Sequence, residues 1–175
     1  MRLRPARSVD ITAIAALHTD SWRRNYGGAL SDEFLDGPIE ADRLERWTAR
    51  LAEPDAGAAT TVAVDEAGVL AGFVHTIFDQ DPKDGALLEN LHVRHDLKRS
   101  GLGTRLMAAA ASAVLARPVP TGLWLTVLVQ NTPAQAFYEA RGGIRIGEEG
   151  WDSPDVRAPA TLVYRYAWPD PAVLL

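Results

Sequence analysis

Residues Leu91 to Thr104 constrain this chain more than any other stretch. An apolar strand, Leu87 to Val93, runs into a basic turn with two glycines one residue apart, Gly101 and Gly103. The turn opens at once into a helical run, Leu102 to Leu115, in which Leu102, Leu106, Ala109 and Ala110 share a face. The first amides of such a helix lack intrahelical acceptors and stand at the positive end of its dipole, and glycine lets an anion approach the backbone. Arg94, Lys98, Arg99 and Arg105 crowd this turn against one carboxylate, Asp96. In a chain whose 23 acidic residues outnumber its 18 lysines and arginines, that local excess of cations suggests a cradle for a pyrophosphate. The same residues also fit a plainer reading: a tight turn with close helix packing and a solvated charged face. A Rossmann site would want a third glycine where Leu106 stands, and the Gly-Lys-Ser/Thr of a Walker-A loop does not occur, so both nucleotide classes are disfavoured.

Composition closes off other chemistries. A net charge of −5 gives no general attraction to nucleic acid or to an anionic membrane, and neither is expected as a partner. With no cysteine there is no disulfide framework, thiolate zinc site or cysteine nucleophile. No Gly-x-Ser-x-Gly elbow occurs, which argues against a serine hydrolase. His92 and His95 lie near Asp96, but an i, i+3 spacing leaving a strand does not aim two imidazoles together, and no metal is expected. The N-terminus turns polar at once and no apolar stretch is long enough to span a bilayer, so the expected location is the cytoplasm.

A length of 175 residues with 47% hydrophobic content predicts a single domain over 1–175. Leu3 marks a short strand, and residues 8 to 24 have helical spacing after Ser8, a candidate N-cap. Pro38 divides residues 31 to 52 into two short helices. Thr60 to Val64 and Val69 to Phe78 read as antiparallel strands joined at Asp65 to Gly68. Leu123 to Val129 is almost wholly apolar, as for a strand buried on both faces in mid-sheet. Thr132-Pro133-Ala134-Gln135 predicts a capping box with proline at the first helical position, and Gly142 ends the helix. Closing strands follow at Ile144 to Gly147 and Thr161 to Trp168, around a proline-rich loop from Trp151 to Pro159. Together these elements predict an α/β domain with helices packed on a mixed sheet.

Two motifs carry a resemblance to a known family. Lys98-Arg99-Ser100-Gly101-Leu102-Gly103 resembles the acyl-CoA-binding motif of the GNAT superfamily of N-acyltransferases, in which Gln or Arg, two residues, Gly, one residue, then Gly or Ala follow the fourth strand. Lysine stands here at the Gln/Arg position, and His95 where proline is common. Asn131, Ala134, Phe137-Tyr138-Glu139 and Gly142, which begin 28 residues after Gly103, resemble the family's second conserved element almost position for position. The resemblance implies a GNAT-like α/β domain: a mixed, mostly antiparallel central sheet, a splay between strands 4 and 5, and helices on both faces. It implies an enzyme, an N-acetyltransferase that moves an acetyl group directly from acetyl-CoA to a primary amine of a small molecule or peptide, without a metal, as monomer or homodimer. Pyrophosphate would be held by Lys98, Arg99, Ser100, Gly101, Leu102, Gly103 and Thr104, and pantetheine by Asn131 and the strand edge at Leu91 and Val93. Tyr138 would stand beside the thioester sulfur.

Chemistry supports these roles independently. Aminolysis of a thioester expels a thiolate, and a tyrosine of reference pKa about 10 is protonated at neutral pH and can donate to it. An alkyl ammonium must lose a proton, and Glu89, set by a two-residue period on the same strand face as Leu91 and Val93, is the candidate base; it reads equally as a solvated strand-end carboxylate, with a water chain as the base instead. His92, expected on the opposite face, is the reserve. The resemblance implies an acceptor pocket walled by the first two helices and the closing hairpin, where Trp22, Tyr26, Phe34, Trp151 and Asp152 would supply an apolar wall with carboxylates for a cation, although Trp22 and Trp47 read better as core anchors of amphipathic helices. Because fold does not fix function, a non-catalytic acyl-CoA-binding sensor or interaction module is the alternative.

Overall fold

The computed structural model describes the chain apart from residues 54, 120 and 156–159, so the last four residues of the expected proline-rich loop lie outside the described residues. Seven strands, β1 (Arg2–Pro5), β2 (Ala58–Val64), β3 (Leu70–Asp81), β4 (Gly85–Val93), β5 (Leu123–Leu128), β6 (Ile144–Gly150) and β7 (Leu162–Trp168), form one sheet. Their order is β1-β2-β3-β4-β5-β7-β6. Among the strands of the described residues, β4 and β5 pair in parallel and the other strand pairings are antiparallel. Five α-helices accompany the sheet among the described residues: α1 (Ile11–Asn25), α2 (Asp32–Asp36), α3 (Ile39–Leu51), α4 (Leu102–Leu115) and α5 (Thr132–Glu139). Among the described residues, no helix is long and apolar enough to cross a membrane.

Apolar stripes assign the helices to the two faces. Ile14 and Leu17 of α1 and Trp47 of α3 pack on Val62, Val64 and Phe73. On the other face Leu106, Met107 and Val114 of α4 pack on Val74, Ala86, Leu88 and Leu125. Full burial of each large aliphatic side chain contributes about 1.5–3 kcal/mol, so these two layers supply most of the drive to fold. The mid-sheet position expected for β5 is observed, between β4 and β7.

Local polar contacts adjust three boundaries. Ser8 does not cap a helix: Ser8 to Asp10 form a 3₁₀ turn and α1 starts at Ile11. The Asp10 carboxylate accepts the Arg7 amide at 2.8 Å and both terminal nitrogens of Arg4 at 2.7 and 2.8 Å, tying β1 to the start of the helix. At α5 the cap is Asn131, one residue earlier than expected, and its side chain accepts from the Ala134 amide at 3.3 Å with Thr132 opening the helix. The strand expected to end at Gly147 continues to Gly150, because β7 pairs with it that far.

The parallel pairing is very short. β4 and β5 share only the registers Ala86↔Leu123 and Leu87↔Trp124, and the strands then diverge into a V. Two glycines close its apex. Gly85 has φ +87°, and a β-carbon there would stand 2.4 Å from the Gly122 carbonyl oxygen, closer than any real contact. Arg165 of β7 reinforces the apex by bonding Asp81 at 2.8 Å and Asp84 at 3.0 Å, while the Trp124 indole donates to the Gly85 carbonyl at 3.2 Å.

Opposite β3, Asn90 faces His75 and Leu88 faces Thr76, so Glu89 is the extra residue of a β-bulge. Between the sheet and the α1/α3 layer runs a seam of neutral histidines. The Trp47 indole donates to His18 Nδ1 at 3.0 Å, and His75 Nδ1 meets the Thr60 hydroxyl at 2.8 Å. Burial pushes His18 well below its ordinary pKa and His75 down to about 4.

The geometry predicts two stability effects. Gly85→Ala should cost about 3 kcal/mol or more, from left-handed strain plus the clash with Gly122. Gly101→Ala, at φ +80° with nothing near the added carbon, should cost only about 1 kcal/mol, and urea unfolding would rank the two. Equal losses would contradict the apex account. The histidine seam makes stability pH-dependent: below about 6.5 the unfolded chain takes up protons that the native state refuses. Stability is therefore complete above that pH and falls as pH drops toward about 4, by up to about 1.4 kcal/mol per unit for each histidine. Urea unfolding at about pH 7.5 and pH 5 measures it, and a level profile would contradict the seam.

Candidate active site

Divergence of β4 from β5 opens a cleft of 840 Å³ between them, floored by α4 and α5. Leu91, Val93, Lys98, Arg99, Gly101, Gly103, Thr104, Asn131 and Tyr138, all expected at a ligand, line it. The side chains of Ser100 and Leu102 turn away from it: the Ser100 hydroxyl donates back to the Leu97 carbonyl at 2.7 Å, and the Leu102 side chain is buried in the core.

The turn has the backbone an anion site needs. Arg99 at φ 65° and Gly101 at φ 80° both adopt the left-handed region, and the Arg105 amide makes the first helical bond, to the Gly101 carbonyl at 3.1 Å. The amides of Leu102, Gly103 and Thr104 precede that bond and have no helical acceptor. A β-carbon on Gly103 would meet the Phe137 ring at 3.4 Å, an ordinary van der Waals contact, so α4 and α5 lie close here. The four cations of the turn divide. Arg94 forms a two-point pair with Asp96 at 2.7 and 2.9 Å, and Arg105 donates to the Met1 carbonyl at 3.1 Å. Lys98 and Arg99 remain at the cleft, joined by Arg141, which the sequence reading overlooked. Arg141 bonds the Thr104 hydroxyl at 3.1 Å and lies 5.4 Å over the Phe137 ring. It lies in the turn just past α5, and its place between Glu139 and Gly142 of the second motif was the available signal.

At the far end, Tyr138 is half-buried with its ring 6.1 Å from Trp168 and 6.3 Å from Tyr166. Burial raises its pKa above the ordinary tyrosine value, so the hydroxyl keeps its proton throughout the physiological range. Asn131 has its carboxamide oxygen engaged as the α5 cap, which leaves two N–H donors for a ligand.

A second chamber of 290 Å³ adjoins the cleft, and Tyr26, Glu89, His92 and Thr126 line both. Trp22 and Tyr26 stack at 4.7 Å, and Trp151 completes an aromatic wall, 5.9 and 5.5 Å from them. Phe34 packs behind this wall and Trp47 is wholly buried in the core, so neither lines the chamber. Asp152 lines it as expected, and so do two arginines of α3, Arg43 and Arg46.

Glu89 does not share a face with Leu91 and Val93. The bulge breaks the two-residue period, so Leu91 and Val93 pack toward the α4 core while Glu89 turns to α3. There it accepts from Arg50 at 2.6 Å, Arg46 at 3.4 Å and the Asn90 amide group at 2.7 Å. Burial is the largest single influence and would raise its pKa, but the charge and the hydrogen bond of Arg50, together with weaker neighbouring charges such as Arg46, outweigh it in sum and hold the carboxyl below its ordinary value. His92 therefore stands on the same side as Glu89. It meets the Ser21 hydroxyl at 2.8 Å, and burial, with help from Arg43, pushes its pKa down to about 3.

The family model for GNAT acetyltransferases matches residues 12–143. The uncharacterized N-acetyltransferase YuaI of Bacillus subtilis is 27% identical over 175 residues, covering 98% of this chain and 95% of its own. A GCN5-related N-acetyltransferase structure from Rhodopseudomonas palustris superposes with a TM-score of 0.71 at 21% identity, over 96% of this chain and 94% of that one. Arabidopsis thaliana NAA60, solved in complex with acetyl-CoA, gives 0.70 at 17% identity over 95% and 97%. The matched span runs from the first helix to the turn after α5 and takes in every element that walls the V. On that ground the chain belongs to the GNAT acetyltransferase family.

Proposed function

We propose that this protein is an N-acetyltransferase that passes an acetyl group directly from acetyl-CoA to the primary amine of a small molecule or peptide. The observation that carries this reading is the meeting of two chambers of unequal size at Tyr26, Glu89, His92 and Thr126. The larger has a helix N-terminus at one end and Tyr138 at the other, which suits a long ligand with phosphates at one end and a thioester at the other. NAA60 with acetyl-CoA, of the same fold, supports that choice of donor.

In this reading the Leu102–Thr104 amides, with Lys98, Arg99 and Arg141, take the pyrophosphate; Asn131 and the open edge at Leu91 and Val93 hold the pantetheine arm. The acceptor enters through the smaller chamber as the neutral amine. Arginines around the junction disfavour its protonated form, as they do for His92. A nitrogen–carbon bond forms at the acetyl carbonyl, the carbon–sulfur bond breaks, Glu89 accepts the nitrogen's proton and Tyr138 gives its own to the departing sulfur. Arg50 keeps Glu89 ionised, and the attacking nitrogen, positively charged once bonded, is acidic enough to yield its proton to so weak a base. A sensor would need to bind the donor but would have no use for a proton donor such as Tyr138.

Release of free CoA thiol across a panel of polyamines, amino acids, aminoglycosides and peptides tests the reaction. Turnover is expected with at least one class, and Tyr138→Phe should lower it about 100-fold or more while acetyl-CoA still binds. Unchanged turnover in that variant across pH would remove Tyr138 from the chemistry. Silence from wild type over the whole panel, with acetyl-CoA bound, would favour the sensor.

A further inference from the structure

The smaller chamber is built around one face of α3. Arg43, Arg46 and Arg50 recur at three- and four-residue intervals, which puts three guanidinium groups in a row beside the junction. Two are already matched. Arg43, almost wholly buried, bonds Asp42 through Nε and Nη2 and lies 4.2 Å over the Trp22 ring. Arg50 holds Glu89. Arg46 is different: its side chain is 45% exposed, and its contact among the described residues is a long one, 3.4 Å to an oxygen of Glu89 that Arg50 already bonds at 2.6 Å. The chamber thus presents a weakly engaged guanidinium, an aromatic wall of Trp22, Tyr26 and Trp151, and a passage to the junction.

That combination is wrong for a polyamine. A second ammonium would lie beside Arg43 and Arg46, and of the two carboxylates lining the chamber Glu89 is already held by Arg50 and Asn90. The positive field is felt at the junction itself, where Arg43 helps depress the proton affinity of His92. A peptide N-terminus would bring no anion near its amine. At 290 Å³ the chamber holds a small molecule.

Building on the acetyltransferase reading, we propose that the acceptor is an amine carrying its own carboxylate, a free amino acid with an apolar or aromatic side chain. Its carboxylate pairs with Arg46, its side chain lies on the Trp22, Tyr26 and Trp151 wall, and its amine reaches the junction beside Glu89 and His92. Arg46 suits this role because a guanidinium offers parallel N–H donors to the two oxygens of a carboxylate. The reaction balances as before: the amide forms, the thioester breaks, and the amine proton leaves through Glu89.

Phenylalanine and phenethylamine, which differ by the carboxylate and carry amines of similar basicity, make the test. In wild type kcat/KM should favour phenylalanine at least tenfold, over phenethylamine and over spermidine. In Arg46→Gln that preference should fall toward one, and Arg46→Lys should keep part of it. Equal or better turnover of phenethylamine or spermidine by wild type, or a preference untouched in Arg46→Gln, would overturn the proposal. If no amine is acetylated, the acetyltransferase reading fails separately, and an equilibrium measurement still decides the site. N-acetylphenylalanine should then quench the fluorescence of the Trp22 and Trp151 wall at least tenfold more tightly than N-acetylphenethylamine, and only with Arg46 present. Equal binding of the two would sink it.

Discussion

The short parallel contact between β4 and β5 is the constraint on which the rest of the structure depends. Two paired registers hold the strands at Ala86 and Leu87, and beyond them the backbones part. Gly85 and Gly122 let the chains approach at the apex where no β-carbon fits, and Arg165 clamps the preceding turn through Asp81 and Asp84. A sheet whose central strands separate exposes backbone groups that must find partners. Here that unpaired edge at Leu91 and Val93 becomes a wall of the cleft, and the helix following β4 turns its own unbonded amides to the same space. Splay and turn thus work together: one makes the room, the other makes one end of it attractive to an anion.

Charge is distributed with similar economy. The chain is acidic overall, yet cations gather at two places, the Lys98, Arg99 and Arg141 end of the cleft and the α3 face of the smaller chamber. Between them the titratable groups are held in fixed states. His18, His75 and His92 are kept neutral by burial, Glu89 is kept ionised by Arg50, and Tyr138 is kept protonated by burial. A junction whose groups do not change charge near neutral pH leaves the acceptor amine as the group whose protonation governs reaction there.

Much of this was legible in the sequence, because the informative residues act locally. The two glycines of the turn, the helix Leu102–Leu115, the Pro38 break and the buried central strand follow from spacing and backbone preference, and the structure has them where the sequence puts them. The face of Glu89 was not legible. A two-residue period assigns it to the side of Leu91, but a bulge of one residue, visible only once β3 and β4 are paired, sends it to α3. The arginine lining of the smaller chamber was missed for a related reason. Nothing in the local spacing singles out Arg43 and Arg46, and only the tertiary placement of α3 brings them to Trp22 and Glu89. Long-range register, not local propensity, decides both.

The most direct test of the central claim, that one cleft aligns an anion cradle with a proton donor, is a crystal structure of the protein with acetyl-CoA. The account predicts pyrophosphate oxygens about 3 Å from the amides of Leu102, Gly103 and Thr104, and the thioester sulfur within reach of the Tyr138 hydroxyl at the junction with the smaller chamber. Acetyl-CoA bound outside the V, or bound within it with its sulfur remote from Tyr138, would contradict the account.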